Sequence, residues 1–250
     1  MQAYALDKYE NVCESTLRYI YVHESGEVVT KEAFKEKLKN AATTIWNTIV
    51  KWIKKVCEYV TRFKNWILKH WNAFVAKFKG KVKVPNMKKT EEANKLTEKA
   101  VNMIVQQQQK DLANVTAQAN NQPEVKSDVS YEAIDEILDK AAKLTKEAAE
   151  EAEDKDAEGL REYAQVTEKQ AKVQAVCINR LHVVYKNIDK HGVKTPAKTR
   201  ADRVLNISAQ TLNKAISPIK AKSKGLEDAE GADFATLTDE IEDGYEGTAV

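Results

Sequence analysis

Glycine and proline are scarce in this 250-residue chain, at eight and four. Average usage of roughly 7% would give about 17 glycines in a chain of this length. Glycine supplies the positive-φ positions of phosphate-cradling loops, tight hairpins and close backbone approaches to ligands. Its scarcity argues against a dinucleotide-binding fold, a P-loop enzyme and a β-barrel. Cysteine is also sparse: Cys13, Cys57 and Cys177 are odd in number and lie far apart. No pair has metal-ligand or redox spacing, so a reducing compartment is expected. No run of 18 apolar residues occurs, so no simple membrane-spanning helix is expected. The first fifteen residues carry Asp7, Glu10 and Glu14 and lack an apolar core, unlike a classical signal peptide.

Catalytic patterns are equally thin. The histidines His23, His70, His182 and His191 form no His-Glu-x-x-His or similar metal signature. Cys177 and His182 are five residues apart, which does not place them squarely on one helical face. Acid pairs such as Asp135-Glu136 and Glu150-Glu151 stand in acid-dense helical sequence and read as solvated surface. General acid–base chemistry needs a drier pocket to tune its groups. No nucleophile elbow or phosphate-binding loop is present. The expectation is a non-enzymatic protein with no catalytic residue, cofactor or metal.

What the chain has in abundance is charge, at 31% of residues, with a net charge of only +2. The sum hides segregation. Residues 51–83 hold ten bases and one acid, Glu58; residues 128–162 hold thirteen acids and five bases. Residues 186–224 hold ten bases and two acids, and residues 225–250 hold nine acids and no base. Opposite blocks of this kind suit contact with other macromolecules, with further copies, or with one another.

The fold class expected is all-α. A long amphipathic N-terminal helix or helical hairpin is followed by an antiparallel helical hairpin or bundle and a disordered, acidic C-terminal tail. Three regions are expected: 1–84, basic and aromatic-rich; 85–219, the hairpin or bundle; and 220–250, the flexible tail. In residues 3–23, Leu6, Tyr9, Cys13, Leu17, Ile20 and Tyr21 stand at helical spacing. Thr30 then reads as an N-cap, and a helix is predicted from Lys31 to about Phe78, with a break near Lys39-Asn40 or Asn72 allowed. Extended chain is predicted over Gly80–Pro85. Further helices are predicted from Thr90 to Asn120 and from Ser130 to about Ala152. After a turn at Glu153–Glu158 around Gly159, a fourth runs to about Lys190. Beyond a basic segment that begins at Pro196, a shorter fifth carries Leu205, Ile207, Leu212 and Ile216 and is ended by Pro218. The fourth has a seam of Val166, Ala171, Val173, Cys177, Leu181 and Val184. The second is so poor in apolar residues that it is expected to lie on a partner or be partly mobile.

The segment 42–83 carries the candidate site. Ile45, Ile49, Trp52, Val56, Tyr59, Phe63 and Trp66 recur at steps of three and four. Trp46, Ile53, Val60, Ile67 and Phe74 recur every seven. The apolar face is wider than a two-stranded coiled-coil seam, and few later residues look apolar enough to cover it. An uncovered face of this length is an aggregation liability in a monomer. The expected partner- or membrane-binding residues are therefore Trp46, Trp52, Trp66, Trp71, Phe63 and Phe74, together with Lys51, Lys54, Lys55, Arg62, Lys64 and Lys69. Three uses fit them: contact with copies or other structural proteins, binding to an anionic membrane surface, and non-specific nucleic-acid binding through 51–83 and 186–224. Burial of the aromatics in the chain's own core is the plain alternative.

The Lys/Glu/Ala-rich, helical, cysteine-poor stretch over residues 90–250, without catalytic motifs, resembles the internal or scaffolding proteins of tailed-phage heads. Some of those proteins are trimmed by a head protease after Leu/Ile-x-Glu, the form of Ile134-Asp135-Glu136 and Leu160-Arg161-Glu162. The Trp-rich segment departs from the highly polar scaffolding pattern. The resemblance implies a structural or assembly role, a homo-oligomer or partner-bound state, and a location in the host cytoplasm or the virion.

Overall fold

A computed structural model describes residues 31–123, 129–186 and 195–223, with side chains of the first helix described from Trp46 onward. The expected helix at 3–23, the Thr30 cap and the acidic tail lie outside these residues. Within them the protein is all-α apart from one short ribbon. Helix α1 spans Lys31–Lys69 and α2 spans Trp71–Lys77; strand β1 is Val82–Val84. Helices α3 (Met87–Ala119) and α4 (Tyr131–Glu150) follow, then strand β2 (Glu153–Lys155). Helices α5 (Ala157–Arg180), α6 (His182–Lys186) and α7 (Pro196–Ser223) complete the order.

Local chemistry explains most boundaries. The long aromatic helix breaks at His70, two residues from the expected Asn72. Gly80, at φ 72°, turns the chain into extended β1. The segment predicted as a turn at 153–158 instead contains β2, which pairs antiparallel with β1, placing Lys83 opposite Asp154. Helix α3 starts before the expected Thr90. Asn86 is the cap, its side chain accepting from the Lys89 N–H at 3.1 Å, and the Thr90 hydroxyl donates to the Asn86 carbonyl. Asn86 also donates from its backbone to Ala148 O and from Nδ2 to Glu153, tying α3 to the end of α4 and to β2. The Ser130 cap is as expected, accepting from Ala133 N–H. Helix α7 continues through Pro218 to Ser223 rather than ending there. Proline removes one helical N–H and crowds the carbonyl one turn back, a cost offset by burying Pro218 and Ile219 in the core.

Side-chain pairings define the topology. Asn86 with Ala148, Lys89 with Glu147 and Tyr131 with Asp111 make α3 and α4 an antiparallel hairpin. Trp46 of α1 on His182 of α6, Lys64 of α1 on Glu168 of α5 and Trp71 of α2 under Arg161 of α5 run α1–α2 antiparallel to α5–α6. Gln174 with Ser208 and Tyr163 with Ala215 set α7 antiparallel to α5. The apolar residues on both sides of Pro85 belong to one continuous core.

Several polar side chains of that core are paired across helices. Gln174 donates to Asn94 Oδ1 at 2.7 Å and accepts from Ser208 at 2.8 Å, joining α3, α5 and α7. The Thr145 and Thr211 hydroxyls are 2.8 Å apart between α4 and α7. An axial slip of one helix would leave these groups buried and unpaired, at about 1–3 kcal/mol each. Gln107 and Gln108 are buried too. The apolar-poor helix α3 is therefore covered within the chain, by α4 and α7 above all. The expected seam holds at Ala171 and Cys177 on α5, at Leu181 just after it and at Val184 on α6, but Val173 is exposed and Leu160, Tyr163 and Ala164 are buried as well.

Candidate partner-binding face

The aromatic residues of the candidate set are interior. Trp52, Phe63 and Phe74 are buried, and Trp46 and Trp66 retain only 7% and 8% of their surface. Trp46 stacks on His182 at 4.6 Å with rings 6° from parallel. The His182 pKa is lowered, first by burial and then by Lys186. Phe74 is the hub of the other end, edge-on to Phe63 and Trp66 at 6.4 and 6.3 Å and tilted against Phe78 at 5.4 Å. Trp71 is half-buried, with the Arg161 guanidinium 4.5 Å from its ring centroid.

This corrects the expectation that the chain is too poor in apolar residues to cover the Trp face. Helices α5 and α7 cover much of it, with Leu160 and Ile178 on α5, Leu212 and Ile216 on α7, and smaller residues among them. Ala164 and Ala171 on α5, and Ala209 and Ala215 on α7, are all buried. Each large side chain so buried contributes about 1.5–3 kcal/mol. Insertion of Trp46, Trp52 or Trp66 into a bilayer would require opening the bundle.

The basic members divide into two groups. Lys64 donates to Glu168 at 2.7 Å, and Arg62 pairs with Glu58 one turn earlier. Glu168 is buried yet charged. Burial opposes its charge, but hydrogen bonds from Lys64, Lys172 and Thr61 outweigh that and hold its pKa at about 2. Lys64 is thus part of the α1–α5 contact. Lys55 is half-buried. Lys51, Lys54 and Lys69 are exposed and form no ion pair among the described residues.

These last residues share one line along α1. Lys51, Lys54, Glu58, Arg62, Asn65 and Lys69 follow at steps of three or four, the repeat of one helical face. Glu58 is the only acid on that line, and it is paired with Arg62. The line from Lys51 to Lys69 spans about 27 Å. Past the His70 break, Lys77, Lys79 and Lys81 are exposed as well, and Leu68 and Val75 add a minor apolar component.

Comparison with protein-family models, with curated proteins and with solved structures found no match. The chemistry of the face is therefore read from its own residues. The second basic block behaves differently from the first. Lys198 pairs with Asp202, Arg200 with Asp135, and Arg203 with Asp135 and Asp139. Arg200 and Arg203 thereby join α7 to α4, whereas Lys198 pairs within α7 itself.

Other reactive groups are accounted for by burial. Desolvation pushes the Cys57 thiol up to about 11 and the Cys177 thiol up to about 12. Among the described residues no three His, Cys, Asp or Glu side chains are grouped as metal ligands, and no helix is long and apolar enough to cross a membrane. A shallow depression between α1 and α5 is lined by Val50, Ile53, Lys54, Ala175, Ile178 and Asn179. Its lining is almost wholly apolar and offers no convergent polar groups. Both Leu/Ile-x-Glu triplets lie in helices with Ile134 and Leu160 fully buried. A protease would have to meet them in locally unfolded chain.

Proposed function

We propose that this chain is a non-enzymatic assembly protein that docks on an acidic partner surface through the lysine line of α1 and its continuation to Lys81. The observation that carries this reading is the set of exposed lysines Lys51, Lys54, Lys69, Lys77, Lys79 and Lys81, which face no carboxylate among the described residues. Docking is electrostatic rather than apolar, because the aromatic row is already enclosed. Charge complementarity of this kind steers encounter and sets register. The compositional resemblance to internal proteins of phage heads supports a virion setting, where such contacts organise many copies.

The test is a titration of the intact protein with labelled poly-L-glutamate across a salt gradient. The variant Lys51→Gln/Lys54→Gln/Lys69→Gln should bind about tenfold more weakly at low salt and fold normally. Equal binding by both proteins would remove the proposal. A linear row of lysines also suits a phosphate backbone. Tighter, steeply salt-dependent binding to duplex DNA than to poly-L-glutamate would transfer the reading to nucleic acid.

A further inference from the structure

We infer that the Lys69–Lys81 end of the lysine line is occupied, in the free protein, by the chain's own acidic segment 225–250. This deepens the proposed function, since it names a ligand for the same face, but it does not depend on any external partner. Three observations carry it. First, helix α7 delivers the chain to this place. Ser223, its last residue, is buried with Oγ 2.6 Å from the Tyr59 hydroxyl of α1. One residue earlier, Lys222 Nζ donates to the Lys79 carbonyl at 3.2 Å and lies 4.4 Å from the Phe78 ring centroid. The start of the C-terminal segment is thereby fixed beside the loop that carries Lys77, Lys79 and Lys81.

Second, the charges are complementary. Residues 225–250 contain nine acids and no base, five of them within Asp239–Glu246. The adjoining lysines have no carboxylate partner among the described residues. Third, the lengths match. Sixteen residue steps separate Ser223 from Asp239, and the chain can cover up to about 3.3–3.6 Å per step, a reach of about 50 Å. That reaches the Lys69–Lys81 surface from its anchor. A short tether of this kind gives an effective concentration on the order of millimolar, so weak individual ion pairs suffice. Segment 225–250 then acts as a tethered competitor, which an acidic partner must displace.

The experiment compares the full chain with the full-length variant Asp239→Asn/Glu240→Gln/Glu242→Gln/Asp243→Asn/Glu246→Gln. Acetylation of each lysine is followed by mass spectrometry, with Lys99 on α3 as the internal control. Lys69, Lys77, Lys79 and Lys81 should react about threefold faster in the variant at low salt, and the difference should vanish at about 0.5 M salt. Equal rates in the two proteins at low salt would overturn the inference. Zero-length carbodiimide cross-linking of a mixture of isotopically heavy and light chains identifies the donor of the carboxylates. Cross-links within one isotope support the tethered arrangement; cross-links mainly between isotopes overturn it in favour of a second copy. Poly-L-glutamate titration of the same variant separates the two proposals. If tail protection is found but the variant does not bind the polymer, the proposed function fails while the tail contact stands.

Discussion

The hydroxyls of Tyr59 and Ser223 lie 2.6 Å apart in the interior, joining the middle of α1 to the last residue of α7. Ser223 can also donate to the Lys220 carbonyl at 3.0 Å. Where the Tyr59 phenol donates to Ser223 and Ser223 to Lys220, each proton has an acceptor. The contact links the oxygen of an otherwise apolar ring to the last residue of α7.

Tyr59→Phe and Ser223→Ala should each destabilise the protein by about 1 kcal/mol, the usual net value of a buried hydrogen bond. The double variant should lose less than the sum, with a coupling of about 0.5–1 kcal/mol. Urea unfolding of the four proteins measures this. Full additivity would mean that the two hydroxyls do not interact.

Glu168 makes stability pH-dependent. Its carboxyl is held at about 2 against an ordinary 4.5. A depressed acid contributes stability above its unfolded value and loses it as the pH falls. The contribution is therefore complete above about pH 4.5 and declines toward pH 2. Glu168→Gln should cost about 2–3 kcal/mol at neutral pH, since Lys64 and Thr61 lose a charged acceptor. The variant should also show a shallower fall in melting temperature between pH 5 and 3, about half the wild-type slope at most. Thermal melts at several pH values test it.

Trp52 and the exposed lysines should separate stability from binding. Trp52→Ala removes a wholly buried side chain and should cost about 3–5 kcal/mol. The Lys51→Gln/Lys54→Gln/Lys69→Gln variant should stay within about 0.5 kcal/mol of the parent, as surface changes away from packed contacts usually do. Binding of an acidic polymer should follow the reverse order. A loss of stability in the lysine variant comparable to that of Trp52→Ala would mean that the line is structural.

Cys57 and Cys177 should resist alkylation in the folded protein. With thiols at about 11 and 12, the thiolate is about one part in a thousand or less at pH 8. Residue-resolved mass spectrometry should show slow labelling in buffer and rapid labelling in about 8 M urea. Rapid labelling of either residue in buffer would show that its helix contacts open readily.

Local features were legible in the residues themselves. The Ser130 cap, the extended Gly80–Pro85 segment and the end of α3 at Asn120 follow from side-chain chemistry acting over a few residues. The seven-residue recurrence of Trp46, Ile53, Val60, Ile67 and Phe74 marked a true core row, because helical periodicity records which face avoids water. That signal does not record what covers the face. The apolar residues of α5 and α7, Leu160, Ile178, Leu212 and Ile216 among them, stand dispersed in polar sequence and read as weak cover, yet the fold gathers them into one core.

The sequence alone determined an all-α chain with segregated charge and one strongly apolar face, since these depend on composition and local periodicity. Only the tertiary structure decided that this face is interior, that Glu168 is a buried anion, and that Val82–Val84 pairs with Glu153–Lys155. It likewise decided which cations are used up: the arginines of α7 are paired with α4, whereas Lys51, Lys54 and Lys69 meet no carboxylate among the described residues. Each of these outcomes depends on groups brought together from distant positions, and both the dielectric around a charge and the availability of its partner are set only when the helices meet.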